Sequence, residues 1–468
     1  MTFATLPRLL RAAVPPRLRV LTRQEAGVPP PAAPGGGFRR GFAALGHRNY
    51  RLYWIGQVLS LVGTWMQSVS QPWLVLLLGG SPLELGTVLA LQFAPAMVFA
   101  PLGGVLADRI DKRRTLMATQ AVAMLQAGVL FGLTAAGVVE IWHIMVLASV
   151  LGLVNAVDMS VRQAFAAELV PSDDLVNAIA LNSASFNAAR VVGPAVAGIT
   201  LALFGPAFNF GLNTVSYLAV LGGLALINGA ALYREPRPAR FASVRSSLGE
   251  GLRYAVGNPN ILWPLVLLGG MAAFAMNFQT LLPLYARNTL GLGAEGYGIL
   301  YASMGAGSLV GSLSLAFTGS QRPLRRLILL GGLAFLVLEL LLGIIRSPAA
   351  AYVLVALIGL ASMLMVNTIN VTIQNTVSNE LRGRVMSLYV TVFAGTAPIG
   401  GFFAGAIAEV WDAPTAFIVG SILAGVVLAV VTWQLLSRIG TRDAMDPAAT
   451  QAASHGPDDH DRPAAAGA

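Results

Sequence analysis

Apolar residues in this chain run on, segment after segment, for the length of a membrane crossing before a short polar cluster interrupts them. Residues 85–107 carry no ionisable side chain, and neither do residues 115–139. Runs of that length are too apolar for a soluble core and predict helices that span a bilayer. Twelve spans follow in order, at about 52–79, 84–107, 115–138, 142–163, 175–204, 209–232, 260–286, 295–318, 325–345, 350–375, 385–409 and 414–437. Each supplies at least the ~20 residues that ~30 Å of hydrocarbon requires. A basic linker at about 233–259 parts six spans from six, so the expected domains are helical bundles at 48–232 and 260–437. Within the linker, residues 244–256 put Val244, Leu248, Leu252 and Ala255 on one helical face and Arg245 and Arg253 elsewhere. That is the pattern of a short helix lying on a membrane surface.

Both flanks break the pattern. Residues 1–47 are rich in Pro, Gly and Arg, and their apolar pieces (Leu9 with Leu10, Val20 with Leu21) are too short for a signal-peptide core. A disordered basic cytoplasmic tail is expected there, and a second polar tail at 438–468.

Composition fixes the solvent and removes several function classes. The 468 residues are 56% hydrophobic and 11% charged, against roughly 25% charged in soluble domains. The net charge of +9 does not point to nucleic acid, because the cations sit in short loops beside the spans and form no single face. Without cysteine there is no disulfide or thiolate site, and His47, His143, His455 and His460 are scattered. No metal and no other cofactor are expected. Charge placement gives sidedness instead. Arg109, Lys112, Arg113, Arg114, Arg234, Arg245, Arg325, Arg326 and Arg384 fall on the side of the N-terminus, while the opposite loops hold Arg287 and Arg346. Positive loops stay cytoplasmic, so both termini are expected inside.

The stretch GGVLADRIDKRRT, 103–115, is a charge-dense hairpin between two spans. It resembles the signature loop of the major facilitator superfamily, a Gly-x-x-x-Asp-Arg/Lys-x-Gly-Arg/Lys-Arg/Lys pattern. Gly104, Asp108, Arg109, Lys112 and Arg113 match, and Asp111 replaces the second glycine. Residues 181–198 (LNSASFNAARVVGPAVAG) align without gaps to 388–405 (LYVTVFAGTAPIGGFFAG), and Gly86 with Arg113 and Arg114 matches Gly298 with Arg325 and Arg326. The resemblance implies an all-α membrane fold of twelve transmembrane helices in two parallel six-helix repeats, with the substrate site between them near the midplane. The run Arg190-Val-Val-Gly193-Pro194-Ala-Val-Ala-Gly198 is similar to the superfamily's antiporter signature, with Ala197 in place of one glycine.

Four segments carry a closer likeness: RNYRLYWIGQVLSLVGTWMQ (48–67), GSPLELG (80–86), RQAFAAELVP (162–171) and NELRGRVMSLY (379–389). They resemble bacterial exporters of the enterobactin-exporter and macrolide-efflux type. That resemblance implies a monomeric, multi-pass protein of the inner membrane, not an enzyme. Its partners would be lipid, protons and a small drug- or siderophore-like amphiphile, exported by proton antiport through alternating access. A substrate-specific uptake symporter and a non-translocating receptor are the alternatives.

In the implied architecture, helices 1, 4, 7 and 10 face the cavity. Helix 1 sets Gln57, Ser60, Thr64, Gln67 and Gln71 at spacings of 3, 4, 3 and 4, one face ~21 Å long. Asn155 on helix 4, Asn277 on helix 7, and Asn367, Asn370 and Gln374 on helix 10 complete the candidate lining, with Trp65, Trp73, Phe274, Met276 and Met363 as its apolar part. Amides in lipid need partners or water. These stripes either line the cavity or bond helix to helix, and cavity lining is expected from where they fall.

Asp158, with Arg162 one turn later, is either a proton site coupled to conformation or a structural ion pair. Asp108, a second proton-coupling candidate, is expected to face the N-terminus of helix 11 near residues 384–386 and latch the inner side. Arg190 lies in mid-helix with no acid within a turn, so it calls for an anionic substrate or a structural tie. Glu339 reads as structural, with Arg346 on the same face, and Glu84, Glu295 and Glu409 at outer helix ends read as solvated.

Overall fold

The computed structural model describes residues 38–233, 244–318, 324–378 and 381–443, and the regular elements among them are all helical. The expected tail at 444–468, most of the expected tail at 1–47 and the start of the linker lie outside the described residues. The chain divides into two compact units, Met1–Ala43 and Ala44–Ala468. A 3-10 helix, Phe38–Gly46, opens the described chain.

Fourteen α-helices follow among the described residues: α1 (Arg48–Leu77), α2 (Pro82–Arg109), α3 (Lys112–Ala135), α4 (Ile141–Ala167), α5 (Leu175–Leu226), α6 (Val244–Gly257), α7 (Pro259–Phe274), α8 (Phe278–Leu284), α9 (Ala294–Thr318), α10 (Leu324–Ile344), α11 (Pro348–Thr376), α12 (Arg382–Gly395), α13 (Ala397–Val410) and α14 (Ala413–Asp443). Eight described helical stretches are long and apolar enough to cross a membrane. α1 is 30 residues long yet falls outside those eight, because its amides and hydroxyls dilute its apolar residues.

Helix ends follow local chemistry. Ser81 caps α2 in a reciprocal box, its hydroxyl accepting from the Glu84 amide while the Glu84 carboxylate accepts from the Ser81 amide. Glu84, expected to be merely solvated, is thus a capping residue. α5 contains the span expected at 175–204 and most of that expected at 209–232, which fold back on each other through a single residue. Gly205 takes φ 76 and ψ 177 ahead of Pro206, a conformation that costs a side-chain-bearing residue heavily. Across the fold, Asn209 donates to the Ala197 carbonyl at 3.2 Å and its Oδ1 lies 2.5 Å from the Thr200 hydroxyl.

Two expected spans are broken instead of continuous. The stretch expected at 260–286 stops at Phe274 and resumes at Phe278, with Asn277 at the non-helical φ −94, ψ 36. The stretch expected at 385–409 breaks at Thr396, where Pro398, lacking an amide proton, opens α13.

Two seams join the first half of the bundle to the second, α2 against α13 and α5 against α9. Both depend on glycine. A Cβ on Gly86 would stand 2.5 Å from the Gly401 carbonyl, and one on Gly198 would stand 2.6 Å from the Gly298 Cα. Gly405 in turn packs on Gly86. The glycines that align between the two halves therefore meet each other in exchanged roles, Gly198 on Gly298 and Gly405 on Gly86. Gly401 and Gly405, which read as ordinary packing positions in the sequence, are seam residues.

The core is divided unevenly. One large apolar cluster runs through the second half and takes in Val69, Trp73, Leu85, Ile144 and Leu201 from the first. Those residues lie toward the end of the bundle that carries the α1–α2 turn, the far end. At the near end, where the N-terminus enters, the first half has a separate core of Tyr50, Tyr53, Leu116, Phe165 and Leu224. Among the described residues, the halves share one apolar cluster toward the far end, and the first half keeps a separate one at the near end.

Candidate functional site

The buried ionisable centre of the first half is built from α3 and α4. Asp158 is 4% exposed. Its Oδ1 accepts from the Thr119 hydroxyl at 2.7 Å and the Gln120 amide at 2.8 Å. Its Oδ2 accepts from Arg162 Nε at 2.8 Å and forms a close second bond to Arg162 Nη2. The helical spacing supplies the arginine, while the second helix supplies two neutral donors. Thr119 and Gln120 were missed in the sequence. The available signal was a hydroxyl beside an amide in a run without charge.

The amide stripe of α1 is buried between helices. Gln67 donates to Gln126 Oε1 at 3.2 Å and accepts from Asn213 at 2.7 Å, and Gln71 donates to Gln92 at 3.3 Å. Thr64 returns its hydroxyl to the Ser60 carbonyl at 2.8 Å. Gln57 and Ser60 are buried, and Gln57 Oε1 has no hydrogen-bond partner among the described residues. Gln67 and Gln71 thus serve the helix-to-helix bonding that the sequence left open.

The second half is more open. Asn367 donates to the Ser312 hydroxyl at 3.2 Å, Asn370 accepts from Gln374 at 2.5 Å, and Gln374 is exposed, as is Asn155 on α4. Asn277 is buried at the α7–α8 break and donates to the Ala273 carbonyl at 3.1 Å. Arg190 has no carboxylate partner among the described residues, and its Nη1 lies 3.7 Å from the Met363 thioether. Gly193 packs on Trp65, and Pro194 is buried beside it in α5.

Of the charged hairpin, Gly104, Asp108 and Arg109 lie in the last turns of α2, and their side chains fall outside the described residues. The expected Asp108 latch is therefore among the side chains not described. Lys112 pairs with Glu168 at 2.5 Å, and Arg113 donates to the carbonyls of Leu224 and Ala225 at 2.7 and 2.8 Å. A cation on those terminal carbonyls offsets the negative end of the helix dipole. Near the expected latch, Arg384 pairs with Glu250 of α6.

Glu339 and Arg346 do not act together. Glu339 is 0% exposed and accepts from Ser421 at 2.8 Å, while Arg346 faces Asp412 at 4.0 Å. Burial works against ionisation of Asp412, but the Thr415 hydroxyl and amide and the Arg346 charge hold its carboxyl below the usual range.

Polar and ring contacts described between the halves gather toward the far end. Glu409 accepts from the Leu83 amide at 3.1 Å, in the first turn of α2. Arg287 donates to the Leu76 carbonyl, in the last turn of α1. Each tie sets a charge on the complementary end of a helix from the opposite half. Glu409, expected to be solvated, is one of these ties. Trp73 stacks on Tyr297 with ring centroids 5.1 Å apart. Over the same end lies a surface cavity of about 460 Å³ lined by Pro82, Leu284, Asn288, Arg346, Trp411 and Asp412. It lies at this end and not at the Asp158 centre.

A family model described as Transmembrane secretion effector matches residues 39–459. The staphyloferrin A transporter of Staphylococcus aureus is 25% identical over 365 residues, covering 77% of this chain and 90% of that protein. The enterobactin exporter EntS of Escherichia coli is 26% identical over 407 residues, covering 83% and 93%. Among solved structures, a variant of the nucleoside transporter NupG matches with TM-score 0.68 at 12% identity, over 82% of this chain and 99% of that one. A POT family transporter matches with TM-score 0.64 at 14% identity, over 84% and 96%. The two solved structures share the fold.

Proposed function

Because the chain belongs to the transmembrane secretion effector family of the major facilitator superfamily, we propose that it exports small amphiphilic, siderophore- or drug-like molecules across the bacterial inner membrane by proton antiport. The relatives named above are transporters, and two of them carry siderophores by name. Twelve spans in two six-helix repeats accommodate the fourteen helices, if the hairpin of α5 counts as two spans and each of α7–α8 and α12–α13 as one broken span, with α6 in the linker.

One observation carries the reading: among the described residues, the halves share ties and one apolar cluster toward the far end, while the first half has a separate core at the near end. With both termini in the cytoplasm, as arginine placement favours, that arrangement is an inward-open state sealed toward the outside. Rocking about the glycine seams would exchange it for an outward-open state. Broken helices and glycine contacts suit such motion, because they leave few side chains to be unpacked.

Asp158 is the proton carrier in this scheme. Protonation removes the charge that Arg162 binds, while Thr119 and Gln120 can still hold the neutral acid. The guanidinium, a quarter exposed, is then released toward the cavity, so one proton changes the charge offered to cargo. Asn155, Met363, Asn370 and Gln374 provide lining that adapts to different shapes.

Reconstituted into vesicles, the protein should move rhodamine 6G against an inward proton flux and stop when nigericin collapses the pH gradient. Movement indifferent to the gradient would remove antiport. Movement in the same direction as the proton would turn the reading to uptake by symport.

A further inference from the structure

Beneath the sealed outer end, Arg190 brings a permanent charge and five donors to the seam between α5 and α9. Its backbone touches α9 directly: a Cβ on Gly305 would stand 2.7 Å from the Arg190 carbonyl. Among the described residues its hydrogen-bond partner is the Met363 thioether, a weak acceptor for a charged donor. One helical turn outward from Gly305 on α9 stands Tyr301. Tyr301 is 2% exposed and Tyr297, a further turn outward, is 0% exposed. Neither hydroxyl has a hydrogen-bond partner among the described residues.

The rings themselves are fixed. Tyr297 meets Tyr301 edge to face at 5.4 Å and is stacked on Trp73 at 17°. Buried hydroxyls and a guanidinium in the membrane interior are costly when unpartnered. Arg190, Tyr297 and Tyr301 thus offer donors without an adequate acceptor among the described residues, close to where the halves touch.

We propose that Arg190, Tyr301 and Met363 form a seat for the carboxylate of an anionic amphiphilic cargo, with Tyr297 and Trp73 as its outer lid. The proposal rests on the transport reading and names the substrate class of that site. A planar carboxylate fits the fork of a guanidinium with two parallel bonds, and the Tyr301 hydroxyl can donate a third. The Met363 thioether and the ring faces pack the adjoining carbon. A single guanidinium balances a single negative charge. A phosphate dianion would carry a second charge without a partner in a low-dielectric seam, so the seat favours carboxylates. Arg190 comes from the first half, and Tyr301 and Met363 from the second, so the occupant bridges the two halves and steadies the outer seal.

The test uses purified full-length protein with dansylglycine as a monocarboxylate probe, its methyl ester as a neutral match, and rhodamine 6G as a cationic transport probe. Wild type should bind the acid about tenfold or more tightly than the ester, the size of one charge-assisted hydrogen-bond set. Arg190→Gln should weaken acid binding about tenfold to a hundredfold and leave ester binding within about twofold; Tyr301→Phe should weaken the acid about fivefold. Arg190→Lys should recover part of the loss, because charge remains without the fork. Equal affinity of wild type for acid and ester, or unchanged acid binding in Arg190→Gln, would overturn the seat. Gradient-driven rhodamine 6G flux in the same preparations reports on transport separately. Flux with unchanged acid binding in Arg190→Gln sinks the seat alone. Acid binding lost in Arg190→Gln, with flux of neither rhodamine 6G nor dansylglycine in wild type, upholds the seat and sinks the transport reading.

Discussion

Asp158 concentrates the physical chemistry of the first half in one carboxylate. Its two oxygens accept four bonds from three residues on two helices. Removing one partner of a buried pair leaves the other without compensation, which typically costs about 3–5 kcal/mol when desolvation is complete. Because Arg162 is partly exposed, Asp158→Asn should cost less, about 2 kcal/mol, and the double variant Asp158→Asn with Arg162→Gln should recover part of it. Thermal melting in detergent measures both. A double variant no more stable than the single would show that Arg162 is held by other groups.

At the opposite extreme lies Asp412, half exposed on the outer loop. Its carboxyl sits below the usual range, so the stability it adds is present above the unfolded pKa and is lost as pH falls through the folded one. Asp412→Asn should therefore lower the melting temperature slightly at neutral pH, by less than about 1 kcal/mol in stability, and leave it unchanged in acid. Melting curves across pH check the sign.

Among the elements, the far ends of α1, α2 and α13 and the turn after α8 would, in the proposed cycle, decide whether the molecule is open or shut. Glu409 and Arg287 reach across the seam to helix ends, so Glu409→Gln with Arg287→Gln should weaken the outer seal. Cysteines introduced at outer-facing seam positions should then react faster with a membrane-impermeant maleimide, and the absence of native cysteine gives a clean background. Joining Leu83→Cys to Glu409→Cys by a disulfide should stop transport, and reductant should restore it. Flux unaffected by the disulfide would mean that this seam need not open.

Much of this element level was legible in the sequence. Uninterrupted apolar runs located the helices, and the gap between the spans expected at 175–204 and 209–232 is where Gly205 divides α5. The break at 275–277 was not legible, because Ala275 and Met276 are compatible with continuous helix and tertiary contacts decide, whereas the break at Thr396 had a signal in Pro398 that the long apolar run obscured. The seam role of Gly401 was hidden for a related reason. A glycine in a sequence says only that a close approach is possible, and the partner comes from another segment.

For the molecule as a whole, polar burial separates the stripe of α1 from that of α11. On α1 the later amides are bonded internally, as Gln67 with Gln126 and Asn213 shows. On α11 of the second half, Gln374 is left exposed. Sequence spacing found both stripes, since helical periodicity puts such residues on one face. It could not distinguish the face toward a neighbouring helix from the face toward a cavity. Ionic candidates were partly legible for the same reason. Asp158 and Arg162 stand at a spacing that permits contact, whereas the turn of α9 that carries Tyr301 comes beside Arg190 only through the packing of α9 on α5. Proton coupling at the first half and cargo at the seam would thus be handled by different residues.

That division is tested most directly by comparing two transport modes in Asp158→Asn vesicles. Gradient-driven accumulation needs the proton site, whereas exchange of labelled for unlabelled cargo at equal pH does not. If Asp158 carries the proton, the variant should lose accumulation and keep exchange at a rate near that of wild type. A variant that still accumulates cargo on a pH gradient would contradict the account and move coupling to another group.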